Sequence, residues 1–151
     1  LGDVYKRQRR YRWPLVVLDG VQDPGNVGAI CRTAAAAGAP ALVVLRGTAD
    51  PFGAKAVRAS AGNVFRLTVA RASWADLAAL DGYGASASGG EPLAEAPIEN
   101  AGMIVLGSEA HGLSRDDLKL VTMHLSEGVE SLNVAAAAAL ILFEIKRRLA
   151  A

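Results

Sequence analysis

Cysteine occurs once in this 151-residue chain, aromatic residues make up 5%, and long apolar runs are missing. Each scarcity excludes something. Cys31 has no partner for an internal disulfide, so the disulfide frameworks of small secreted domains are ruled out and a reducing, cytoplasmic setting is expected. Set between Ile30 and Arg32 in an apolar helical run, with no histidine near it in sequence, it reads as a buried structural thiol rather than a nucleophile. The longest apolar stretch, Val134 to Phe143, falls well short of the roughly 20 residues a membrane span needs, so no membrane partner is expected. The basic N-terminus lacks the apolar core and cleavage site of a secretory signal.

What is present is a chain that is 52% hydrophobic and rich in alanine, long enough for one domain with a real core. Its net charge of +1 is unevenly spread. Lys6, Arg7, Arg9, Arg10 and Arg12 crowd residues 1–12, with Asp3 the only acid there; the remainder carries 11 bases and 14 acids. A basic leader over 1–12 ahead of a domain over 13–151 is the expected division. Such a leader fits either an RNA-binding arm or a solvated tail, because phosphate attraction is independent of sequence. Leu1–Gln8 (LGDVYKRQ) resembles translated sequencing-adapter sequence, which restricts the arm reading to Arg9, Arg10 and Arg12.

Strand and helix signals alternate along the rest. Leu15–Asp19, Ala41–Leu45, Val64–Val69, Tyr83–Ser88, Met103–Leu106 and Val121–Leu125 read as strands. Val27–Ala37, Gly53–Ser60, Ser73–Leu80 and Ser114–Leu120 read as helices, with Ser73 and Ser114 as caps, and one long helix runs from Ser131 to Lys146–Arg148. The connection Glu91 to Asn100 is polar and contains proline. Alternation of this kind predicts an α/β fold with a mostly parallel sheet and helices on both faces.

Ligands of such folds bind at the carboxyl ends of the strands, and three strand ends here carry unusual residues. In Asp19–Ala34 the glycines do not follow G-x-G-x-x-G, and no G-x-x-x-x-G-K-[ST] phosphate loop occurs in the chain. Asn26 can cap a helix there. Arg32 is the only charge between Asp23 and Arg46, and a lone guanidinium in a packed helix needs an anionic partner: a structural carboxylate or an RNA phosphate. In Gly107–Leu113, Gly107 ends a buried strand and Gly112 allows close backbone approach; Glu109 caps a helix, is solvated, or belongs to a site, and His111 reads as a surface loop residue. In Met123–Ala135, Ser131 is a helix cap or a site residue. Asn133 falls in the first turn of an apolar helix, where its amide must find a partner.

Together, N-x-G-A-I-x-R-T-A at Asn26–Ala34, L-G-S-E-x-x-G-L at Leu106–Leu113 and S-L-N-V-A at Ser131–Ala135 resemble the three motifs of the SpoU (TrmH-type) RNA ribose 2′-O-methyltransferases of the SPOUT superfamily. The likeness runs over Leu15 to Leu149. It implies a parallel α/β fold with a C-terminal deep trefoil knot, a homodimer, RNA as substrate, and S-adenosyl-L-methionine as methyl donor with no metal. It implies further that Leu106, Gly107, Met123, Leu125 and Leu132 contact the donor. Arg32 would contact the substrate phosphate and 2′-oxygen, with Asn26, Glu109, Ser131 and Asn133 positioning it and the ribose. Arginine is a poor base because its pKa stays above about 12, so electrostatic help with alkoxide formation is the easier role. One departure is His124, where the family usually has proline; it frees φ and restores an N–H, and weakens the expectation for Met123 and Leu125. The opening L-D-G-V-Q-D-P-G-N-V-G-A-I is more similar to the ribosomal-RNA branch than to the stand-alone tRNA wobble enzymes. Many members of that branch carry an N-terminal substrate-binding domain, so the chain is expected to be the catalytic half. Two other classes fit the residues alone: a non-catalytic RNA-binding module, and a small α/β nucleotide-binding protein.

Overall fold

The computed structural model describes residues 1–151. Seven strands form one all-parallel sheet in the order β3-β2-β1-β6-β4-β7-β5. They are β1 (Leu15–Asp19), β2 (Ala41–Val44), β3 (Thr68–Arg71), β4 (Gly82–Ser86), β5 (Glu91–Pro92), β6 (Met103–Gly107) and β7 (Lys119–Thr122). The central strands are buried on both sides, and alternate residues serve opposite layers. Val16, Leu18, Leu42, Val44, Ile104 and Leu106 belong to the larger core cluster. Leu15, Val17, Ala41, Val43, Met103 and Val105 belong to the smaller one.

The two layers are unequal. Helices α2 (Pro24–Ala37), α3 (Ala54–Ala59) and α4 (Val134–Leu149) supply the larger layer. The smaller is closed by α1 (Gly2–Tyr11) and a single 3-10 turn at Ala75–Leu77, through Val4 and Leu77. The basic leader is therefore helical and docked: Val4 is 1% exposed, Tyr5 Oη donates to Asp76 O at 2.6 Å, and Gln8 Nε2 donates to Gly102 O at 2.6 Å. Arg9, Arg10 and Arg12 stay exposed. Helices α2 and α3 approach at Gly28, where a Cβ would meet Ala56 O at 2.3 Å and Ala59 Cβ at 2.6 Å. Only glycine fits that crossing.

Five local expectations are corrected, chiefly by side-chain hydrogen bonds. Val64–Val69 is not one strand: Ser60 accepts from Asn63 Nδ2 through its carbonyl and from Val64 N through its hydroxyl. These bonds wind Asn63–Arg66 into a 3-10 turn and push β3 on to Thr68. Ser73–Leu80 yields only the turn Ala75–Leu77, with Ser73 donating N–H and hydroxyl to Asp76 Oδ2 and β4 following closely at Gly82. Ser114–Leu120 does not become a helix, because both Ser114 donors are held by Asp19 and β7 starts at Lys119. The last strand accordingly ends at Thr122 rather than Leu125. Helix α4 starts at Val134 rather than Ser131, since Asn133 is its cap. The proline-containing connection also holds β5, a two-residue edge strand, the place in a sheet where proline is tolerated.

Candidate active site

The carboxyl ends of β4 and β6 and the segment from β7 to α4 surround a cavity of about 430 Å³. That is within the range of small-molecule sites, about 300–1,000 Å³. Its lining includes Ala85–Ala87, Gly107–Glu109, Gly112, Met123, Leu125, Ser131–Val134 and Ala137. Half of these residues are hydrophobic, which suits a ligand with an apolar ring system and a polar periphery. Gly107 is required by the wall itself. A Cβ there would lie 2.6 Å from Gly112 C and 2.7 Å from Gly112 O. Gly112 turns back with φ 67°, and paired backbone bonds between Ser108 and Gly112, 2.9 and 2.8 Å, close a strap over the strand end.

At the cavity rim three side chains from distant parts of the chain form a hydrogen-bonded row. Asn133 Nδ2 donates to Asn26 Oδ1 at 3.0 Å, and Asn26 Nδ2 donates to Glu109 Oε1 at 2.8 Å. The Asn133 end fixes the polarity. Asn133 Oδ1 is taken by Ala135 N (2.9 Å) and Ala136 N (3.2 Å), leaving its NH₂ to face Asn26. With Asn26 Oδ1 taken by Asn133, the Asn26 NH₂ is left to donate to the carboxyl oxygen of Glu109. Asn26 is therefore not the cap of α2. Asp23 has that role, accepting from Gly25 N at 3.0 Å, with Pro24 in the first turn. Asn133 is not inside the first turn but the cap of α4, and its amide does have the partner its position demands.

The other site residues are distributed unevenly. Ser131, Leu132, Met123 and Leu125 line the cavity, the last two despite His124, which is exposed. Leu106 is fully buried in the core and meets the cavity only through the adjoining Gly107. Arg32 is not brought to the row. It lies six residues beyond Asn26 on α2, a rise of about 9 Å and roughly 120° around the axis. It is exposed and engages no carboxylate of this chain. The expectation that it sits in a packed environment is thus corrected, because one face of α2 stays open to solvent. Residues that sequence reasoning missed are Asp19, Ser114 and Trp74, joined next to the strap. An acid closing the apolar strand LVVLD was the available signal.

The model of the SpoU rRNA methylase family matches residues 14–143. The chain belongs to the SpoU rRNA methylase family. Among relatives of this SpoU chain, the 23S rRNA (guanosine(2553)-2′-O)-methyltransferase RlmP of Bacillus subtilis is 37% identical over 143 residues, 87% of this chain and 57% of its own length. The AdoMet-bound rRNA methyltransferase of Sinorhizobium meliloti superposes with a TM-score of 0.80 at 34% identity, covering 90% of this chain and 56% of that one. A structure described by 2-OH methylation of C/U34 on tRNA gives a TM-score of 0.81 at 28% identity, covering 91% and 97%. The SpoU chain spans about half the length of the curated relatives it matches.

The cavity and row are compatible with the AdoMet bound in the Sinorhizobium meliloti structure. Gly107 lets the strap lie close against the strand end, apolar Met123, Leu125, Leu132 and Ala137 offer surface for a ring, and Glu109 and Ser131 stand at the polar rim. Cys31 takes no part: burial pushes its thiol up to about 11, well away from nucleophilic use.

Proposed function

We propose that this chain is the catalytic domain of an RNA ribose 2′-O-methyltransferase that draws its methyl group from S-adenosyl-L-methionine, with ribosomal RNA as substrate. The observation that carries the reading is the Asn133–Asn26–Glu109 row at the mouth of a strand-end cavity with a glycine wall. Methyl transfer to a ribose hydroxyl needs an in-line approach and help in removing a reluctant proton. Asn26 holds Glu109 by one oxygen, leaving the second free to accept from the ribose, while Ser131 offers a further hydroxyl across the cavity. Arg32, a free exposed cation, serves the phosphate backbone of the bound RNA and stabilises developing negative charge electrostatically.

The ribosomal substrate is supported by the relative acting on 23S rRNA. The tRNA alternative is favoured by one observation, the neighbour acting on tRNA whose whole length this chain nearly matches. A homodimer is supported by the outward face of α4, where Ala136, Leu140 and Phe143 continue from Leu132 as an exposed apolar stripe. A C-terminal trefoil knot is supported by the strand order, with β7 seated between β4 and β5.

Calorimetric titration with S-adenosyl-L-methionine, followed by tritiated methyl transfer to total ribosomal RNA and to tRNA and mapping of ribose methylation by mass spectrometry, tests the proposal. Donor binding and label in ribosomal RNA are expected. No heat with the donor would sink it, and label only in tRNA would transfer it to the alternative.

A further inference from the structure

On the far side of the Ser108–Gly112 strap lies a second cavity, of about 440 Å³, at the carboxyl ends of β1 and β2. It shares Ser108 and Gly112 with the donor cavity, so a single strap divides the two. One wall is rigid. Asp19, 5% exposed, accepts from Ser114 N at 2.6 Å and Ser114 Oγ at 2.8 Å, and that same hydroxyl accepts from Trp74 Nε1 at 2.9 Å. The Arg115 guanidinium covers one face of the indole, 4.9 Å from the ring centre, and is itself paired with Asp117. Trp74 is thereby held at its nitrogen and on one face, and the Asp19 charge is engaged internally.

The rim is different in kind. Arg46, Gln22 and His111 line the same cavity, are exposed, and make no side-chain hydrogen bond or ion pair within the chain. A guanidinium without an internal anion matches a phosphate, an amide and an imidazole match the edges of a base, and a fixed indole offers it apolar contact. The loop from β1 to α2 links the two places, with Asp19, Gly20 and Gln22 at this cavity and Asn26 in the row.

We propose that this second cavity seats the nucleotide adjacent to the one methylated, its phosphate on Arg46 and its base against Trp74 and Gln22. The proposal rests on the RNA methyltransferase reading and gives it a direction: the RNA crosses the β1–α2 loop and passes over the strap.

Trp13 and Trp74 are the only tryptophans, so Trp13→Phe leaves Trp74 as the sole reporter. A mixed-sequence single-stranded RNA 12-mer is expected to quench its emission saturably, and S-adenosyl-L-methionine alone is not. Arg46→Gln, which removes no internal contact, is expected to weaken binding of that RNA about tenfold at low salt. It should also lower the slope of log Kd against log salt by about 0.7–1, as loss of one phosphate contact does. Heat of donor binding should stay unchanged. Unchanged affinity and slope in Arg46→Gln, unquenched Trp74, or no RNA binding by the parent chain would each overturn the proposal. RNA binding that depends on Arg46 in a chain that gives no heat with the donor would uphold the seat and remove the methyltransferase reading instead.

Discussion

Asn133 carries two loads through two different atoms, and substitution can separate them. Its Oδ1 caps α4 by accepting from Ala135 N and Ala136 N, while its Nδ2 starts the row through Asn26 to Glu109. Asn133→Ala removes both. Loss of the cap costs about 1 kcal/mol, which for a domain of this size lowers Tm by roughly 2–4 °C. Asn133→Asp keeps the capping oxygen and adds a negative charge at a helix N-terminus, where it is favourable, so Tm should stay within about 1 °C of the parent. The row fares differently. A carboxylate facing Asn26 Oδ1 sets acceptor against acceptor. Turning the Asn26 amide over to donate to Asp would present its oxygen to Glu109, so one link is lost whichever way it turns. A hydrogen bond to a charged group contributes about 1.5–3 kcal/mol, which puts the loss of methyl-transfer rate at roughly 10- to 150-fold. The assay is single-turnover methyl transfer beside thermal melting of the same samples. An Asp variant that melts as low as the Ala variant, or one that methylates at the parent rate, would refute the separation.

Further outcomes can be measured with the same protein. Gly107→Ala should abolish calorimetric donor binding, because its Cβ would displace the strap at Gly112. Gly28→Ala should lower stability by about 1–3 kcal/mol, read as a reduced denaturant midpoint, through overpacking against Ala56 and Ala59. Arg32→Ala should reduce methyl transfer strongly and Arg32→Lys partly, with donor affinity unchanged; parent rates in both would remove Arg32 from the mechanism. Arg148, 13% exposed, bonds the carbonyls of Leu93, Ala94 and Ala96 and the carboxylates of Glu99 and Glu144, so Arg148→Ala should cost about 2–4 kcal/mol. Hydrogen bonds from Arg147 and Arg148 lower Glu144 from its usual 4.5 to about 2; for Glu99 burial pulls upward, but Arg148 outweighs it and the net shift is down. Both carboxyls therefore contribute stability that is complete above pH of about 4.5 and is lost as pH falls through their lowered values, about 2 for Glu144, and that acid limb should flatten in Arg148→Ala.

The parts of the fold legible in sequence were those in which local and tertiary demands agree. LVVLD, ALVV and MIVL are continuous apolar runs because their strands are buried on both faces, and α2 declares itself by Asp23-Pro24 at one end and Gly38 at the other. The failures at 64–69, 73–80 and 114–120 share one cause: a polar side chain satisfied the backbone in a way the local pattern does not encode. Ser114 has the pattern of a helix cap, yet its donors go to Asp19, 95 residues away. The site divides similarly. Asn26, Glu109 and Asn133 were recognisable only as a set, since the bonds joining them span 83 and 107 residues. Arg32 was singled out for a desolvation it does not experience.

The sheet order also bears on how the protein is made. β7 lies between β4 and β5, both of which leave the ribosome before it. Until Lys119–Thr122 is synthesised, β4 can pair only with β6 and β5 has no partner, so β4 offers a bare edge that other chains could join. Half of the lining of the cavity beside the Ser108–Gly112 strap, Met123 to Ala137, also follows β7 in sequence, so that cavity is completed only after this edge strand has been made.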